Sequence, residues 1–153
     1  MGKTIGKHKK KRKLHKQNRQ YKDSVFVDLL TIDKSNAIDV YNALSHTTLS
    51  KKTSIEYINI ESSLYSTIRN DVSFLIKNEL IVLLEHQSTI NENMPLRCLL
   101  YIARLYEKLQ APTDRYLRKL SKIPTPEFYV FYNGKEDYPE TAVLKLSDAF
   151  ITK

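Results

Sequence analysis

Two short apolar runs separated by three polar residues constrain this chain more than any other feature. Val72-Ser73-Phe74-Leu75-Ile76 and Leu80-Ile81-Val82-Leu83-Leu84 flank Lys77-Asn78-Glu79. Apolar runs of this length around a short polar turn predict a pair of antiparallel strands. Acids bracket the pair: Asp71 precedes the first run, Glu85 follows the second, and Gln87 comes two residues later. With a three-residue loop, Asp71 falls across from Glu85 or Gln87 on one face. With a two-residue loop it falls across from His86, because a one-residue slip turns every side chain over. Carboxylates at the ends of apolar strands are costly unless something positive sits between them. From spacing alone two readings stay open. The acids are strand ends that meet water, or they are oxygen ligands for a hard divalent cation, Mg²⁺ or Mn²⁺, which takes only one or two carboxylates.

Charge is spread unevenly. Of 25 Lys and Arg residues, nine lie in residues 1–19, which hold no acid. The remaining sixteen face all 17 Asp and Glu, so the body carries −1 and the tail supplies the whole excess of the net +8. A block of like charge repels itself and stays disordered until it meets a polyanion. Residues 1–20 therefore read as a disordered basic tail. Lys9, Lys10, Lys11, Arg12 and Lys13 are its densest nucleic-acid-binding candidates; an address signal or an idle tail is the other reading. Residues 21–153 form one domain, long enough to bury a core. No apolar stretch of about 18 residues exists, so no membrane partner is expected. The basic N-terminus has no apolar segment behind it and is not a secretory signal. A single cysteine, Cys98, fits a reducing cytosol and reads as packing rather than nucleophile. Gly2, Gly6 and Gly134 are the only glycines, so no glycine-rich phosphate loop is present.

Along the chain, Val25, Phe26, Leu29 and Leu30 predict a first helix beginning near Asp23. Ser35 is a plausible N-cap for a second, with Ala37, Val40, Tyr41 and Leu44 on one face. Ile55 to Ile60 partly alternates and predicts an edge strand, and Leu64 to Arg69 leads into the hairpin. A long helix is predicted from Pro95 to Leu109, with proline in the first turn, where its missing N–H costs nothing. Leu96, Leu99, Leu100, Ala103 and Tyr106 make its apolar stripe. Arg97, Tyr101, Arg104 and Lys108 make a basic stripe that either holds a phosphate backbone or is a solvated face. A short helix over Tyr116–Leu120, a strand Glu127–Tyr132 closed by Asn133-Gly134, and a last strand Val143–Leu146 complete the reading. The order helix, hairpin, helix, strand predicts an α/β or α+β sheet domain.

Five blocks in order resemble the bacterial PD-(D/E)XK nuclease family transposases, which are similar to the Rpn recombination-promoting nucleases. They are Tyr21-Lys22-Asp23-Ser24-Val25-Phe26; Arg69-Asn70-Asp71-Val72-Ser73-Phe74; Glu85-His86-Gln87-Ser88 with Asn93-Met94-Pro95-Leu96-Arg97; Pro124 through Gly134; and Leu144-Lys145-Leu146-Ser147-Asp148-Ala149-Phe150. The resemblance implies a restriction-endonuclease-like core, a small mixed sheet flanked by helices, and Mg²⁺- or Mn²⁺-dependent cleavage of DNA in a bacterial, nucleoid-associated, cytoplasmic setting. It matches Asp71 and Glu85 to the two metal-binding carboxylates and Gln87 to a position where many members carry lysine. Asp23 corresponds to an additional acidic residue on the first helix, and Arg97 and Tyr101 to auxiliary residues on the helix after the motif.

That implication agrees with the chemistry of the residues. Phosphodiester hydrolysis needs a positioned water and charge relief on the phosphate, which a carboxylate-held cation supplies. Gln87 orients by hydrogen bonds but brings no charge, a deficit that Arg97 offsets in part. His86 alternates to the other face, where packing is its expected role, while its backbone carbonyl is a further candidate ligand. Members of the family it resembles continue past the Leu-Ser-Asp-Ala-Phe block, so a truncated or decayed copy is expected, in which packing or an oligomer interface would be lost; homo-oligomer formation is otherwise an expectation. Three functions compete: a metal-dependent endonuclease of transposition or recombination, a remnant that binds nucleic acid without turnover, and a basic scaffold preferring structured RNA.

Overall fold

The computed structural model describes residues 25–58 and 71–152. The chain divides into two units, Met1–Lys51 and Lys52–Lys153. The basic tail and Asp23 lie outside the described residues, as do Asn59, Ile60 and the segment Leu64–Arg69.

In the first unit, residues 25–31 are helical (α1) and α2 spans Lys34–Ser45. The N-cap of α2 is Asp33, whose side chain accepts the Ser35 N–H at 2.8 Å; Ser35, expected as the cap, lies inside the helix. Asp and Ser cap equally well, and the earlier residue wins because its extended backbone (φ −133°) points its carboxylate at the open N–H groups. Ala37, Ile38 and Tyr41 are buried on α2, and Leu30 on α1. The helix stops at His46, which takes the left-handed conformation (φ 55°) and bonds back to Asn42.

The second unit is a four-stranded mixed sheet in the order β1-β2-β3-β4. Its strands are β1 (Ile55–Tyr57), β2 (Val72–Ile76), β3 (Leu80–Gln87) and β4 (Thr125–Tyr132). β1 to β3 pair antiparallel and β4 joins β3 in parallel. β2 and β3 form the predicted hairpin. Lys77 and Asn78 are both left-handed (φ 52° and 59°), and the Glu79 N–H closes on the Ile76 carbonyl at 3.0 Å. That is a tight hairpin turn followed by one extra residue, so Ile76 pairs with Leu80.

A parallel pair cannot be joined by a tight turn and needs a crossover. Helix α3 (Met94–Leu109) supplies it between β3 and β4. Its Tyr101, Ile102 and Leu105 cluster with Ile58, Leu75, Ile81 and Leu83. On β4, Thr125 donates to the Glu79 carbonyl, so the next nitrogen, that of Pro126, faces the open edge, where a missing N–H breaks no ladder bond. Among the described residues no helix is long and apolar enough to cross a membrane.

Three further sequence expectations are corrected. The buried stripe of α3 is Met94, Cys98, Tyr101, Ile102 and Leu105. The predicted stripe lies outward: Leu96, Leu99 and Leu100 are each more than 40 % exposed, Ala103 is exposed and Tyr106 half-buried. Leucines occur on both sides of this helix, so counting them cannot choose the face; the sheet selects the side carrying Ile102 and Leu105. Tyr101 therefore belongs to the core and not to a basic stripe. Tyr116–Leu120 is no helix; only a 3₁₀ turn, Asp114–Tyr116, forms before Pro124, and Leu117 and Leu120 are exposed. Val143–Leu146 is not a strand but leads into a 3₁₀ turn, Leu146–Ala149. Strand propensity expresses itself only against a partner, and the described sheet pairs nothing beyond β4.

Candidate active site

Residues bridged across a sheet share a face. Leu75 faces Ile81 and Ser73 faces Leu83, so this column points at α3. Val72 pairs with Leu84. One step further the same register sets Asp71 opposite Glu85, at the end of the column under the first turns of α3. The three-residue loop alternative holds, and Asp71 meets Glu85 rather than His86.

Each carboxylate takes a backbone donor from the opposite strand. The Asp71 N–H donates to Glu85 Oε1 at 3.1 Å, and the His86 N–H donates to Asp71 Oδ2 at 2.7 Å. Arg97 reaches down from α3, with Nη2 3.3 Å from Glu85 Oε2. The guanidinium is held by its neighbours: Nε and Nη2 donate to the Tyr101 hydroxyl at 3.0 and 2.6 Å, and Nη1 lies 3.3 Å from Met94 Sδ. Tyr101, only 3 % exposed, is thus a buried post for Arg97 and has no face open to a ligand.

Glu85 is 1 % exposed. Burial first, and then the Asp71 carboxylate, push its pKa from 4.5 up to about 7; Arg97, the Asp71 N–H and the Gln87 side chain pull the other way. Two acids and one arginine make a site with one negative charge in excess when both acids are ionised. Such a place favours an additional cation, and its donors are hard oxygens, which suits Mg²⁺ or Mn²⁺. Among the described residues no group of three or more His, Cys, Asp or Glu side chains gathers to hold a metal, so a cation here would rest on two carboxylates plus backbone and solvent.

Gln87, half-buried, follows Glu85 on the same face and hydrogen-bonds its carboxylate. Arg104 and Lys108 are exposed on α3, Arg104 pairing with Glu107 at 2.9 Å. Asp23 and the lysines and arginine of residues 9–13 lie outside the described residues. Cys98 is buried beneath the site, and burial pushes its thiol up to about 11. Sequence reasoning missed the backbone donors of Asp71 and His86, which no side-chain letter signals. It also missed that Gln87 pairs with Tyr132 on β4, since a parallel register cannot be read from spacing.

A family model described as "Putative transposase, YhgA-like" matches residues 20–153. No curated protein and no solved structure matches the chain.

Proposed function

Because the chain belongs to the YhgA-like transposase family, we propose that Asp71 and Glu85 are the metal-binding carboxylates of a DNA endonuclease with a restriction-endonuclease-like core, akin to the recombination-promoting nucleases. The observation that carries this reading is the register that sets Asp71 opposite a fully buried Glu85. Burying an acid beside another acid is costly, and a divalent cation offsets that cost. The His86 backbone carbonyl is the natural third ligand. A cation there, Mg²⁺ or Mn²⁺, would supply Lewis-acid charge to a phosphoryl oxygen and make a water a better nucleophile.

The chain's own residues do the rest. Asp71 and Glu85 each accept a backbone N–H from the opposite strand, which holds the two carboxylates in place beside each other. Gln87 hydrogen-bonds Glu85 and orients phosphate or water but cannot carry charge. Arg97 supplies the fixed positive charge in its place, and Tyr101 aims it. Arg104, Lys108 and the basic residues of the tail bind the DNA backbone.

A second reading is favoured by the same arginine. Arg97 already neutralises Glu85, which suits a protein that binds DNA and has lost turnover. Plasmid nicking by the full chain with Mg²⁺ or Mn²⁺ separates the two. Nicking abolished by Asp71→Ala and by Glu85→Ala supports the endonuclease. Binding without nicking supports the remnant, and nicking that survives both substitutions overturns the assignment of these carboxylates.

A further inference from the structure

On the face that carries the carboxylates, β4 is partly exposed. Its register places Phe128 beside Leu83, Val130 beside Glu85 and Tyr132 beside Gln87, all on the α3 side of the sheet. Yet α3 packs over β2 and β3. Phe128 and Val130 are each 39 % exposed, and Tyr132 is half-buried. With strands roughly 4.8 Å apart and same-face residues roughly 6.6 Å apart, Tyr132 lies about 8 Å from Glu85 along the backbone, roughly one nucleotide away.

The Tyr132 ring is held in place before anything binds. Its hydroxyl donates to the Glu136 carbonyl at 3.1 Å and accepts the Glu136 N–H at 3.0 Å. Tyr138 packs edge-on, with ring centres 5.5 Å apart. Gly134 closes over the ring tip, where any Cβ would collide with Cε2, Cζ and the hydroxyl oxygen. A ring ordered in advance loses little freedom on binding. The strip Phe128-Val130-Tyr132 carries no charge, so it suits the face of a base and not a phosphate.

We propose that this strip is a stacking platform for unpaired bases of the strand whose phosphate lies at Asp71 and Glu85. The proposal rests on the endonuclease reading and narrows it to DNA with single-stranded character beside the cut, because a base inside a duplex has no free face to offer. Tyr132 is a positioning residue here and touches no reacting atom.

The test uses the full chain in EDTA, so that binding is read apart from cleavage. The probe is single-stranded oligothymidylate carrying one photoreactive 5-iododeoxyuridine. The expected results are a cross-link at Tyr132, tighter binding of single strand than of duplex, and about tenfold weaker binding by Tyr132→Leu. Tyr132→Phe should keep most of the affinity, and Gly134→Ala, which displaces the ring, should lose it. Circular dichroism establishes that each variant folds. Cross-links confined to residues 1–19, or equal affinity in folded Tyr132→Leu, would overturn the platform even where wild-type nicking stands. Val130→Ser that splits a dimer without changing DNA affinity would overturn it in favour of a second copy. If the platform results hold while no metal-dependent nicking is seen, the endonuclease reading fails and the binding strip remains.

Discussion

Glu85 is held between opposing demands. Its carboxyl is buried and next to another acid, both of which favour the protonated form, while Arg97 and two hydrogen bonds favour the anion. Burial and Asp71 win. The stability consequence has a definite sign. In the unfolded chain the carboxyl loses its proton near 4.5, and in the native protein near 7. Between those values the native state binds more protons, so stability falls as pH rises, and below 4.5 the group contributes no slope. A shift of this size corresponds to roughly 3 kcal/mol. Urea titrations of wild type and Glu85→Gln should therefore differ in pH slope between about 5 and 7, with the variant flatter. Parallel slopes would contradict the assignment of the shift to this residue. Cys98 gives a second prediction. Its thiol, raised to about 11 by burial, is almost wholly protonated at neutral pH. A disulfide reagent should label native protein slowly and urea-unfolded protein at once; equal rates would place the thiol at the surface.

At the level of elements, legibility follows how local the information is. The β2–β3 hairpin is written within thirteen residues, as two runs and their polar joint, and β2 and β3 match the expected runs save that β3 continues through Gln87. Asp71 opposite Glu85 was one of the registers that spacing allowed. The face of α3 was not legible, because Leu96, Leu99 and Leu100 compete with Ile102 and Leu105, and only the sheet decides between them. Nor was the partner of β4, which depends on a crossover long in sequence. Truncation tests the face directly. Leu105→Ala, at a fully buried position, should cost about 3 kcal/mol, whereas Leu99→Ala should cost less than about 1 kcal/mol. Thermal melts that rank them the other way would restore the leucine stripe. The hairpin turn carries its own strain. Lys77 is left-handed at φ 52°, which suits Asn or Gly better than lysine. Replacing Lys77-Asn78 by Asn-Gly should raise stability by about 1 kcal/mol without moving the register, and an unchanged or lower melting temperature would contradict that turn geometry.

Across the whole molecule, charge is divided unevenly along the chain. The body from residue 20 onward is close to neutral and carries the carboxylate pair, while residues 1–19 hold nine of the 25 basic side chains and no acid. A near-neutral body can approach a phosphodiester without strong long-range attraction, so the tail would supply most of the counterion release. Each phosphate it neutralises adds about 0.9 to the log–log salt slope of DNA binding. Deleting residues 1–19 should therefore flatten that slope and weaken binding at low salt, where unscreened attraction is greatest. Because residues 1–19 are rich in like charge and hold few apolar side chains, the melting temperature of the shortened chain should stay close to that of the full one. Metal-dependent nicking, where present, should be recovered at high DNA concentration, since the shortened chain keeps Asp71, Glu85 and Arg97. The measurement is affinity across a salt series for both chains on one oligonucleotide. An unchanged slope would move the electrostatic contacts from the tail to Arg104, Lys108 and their neighbours on α3.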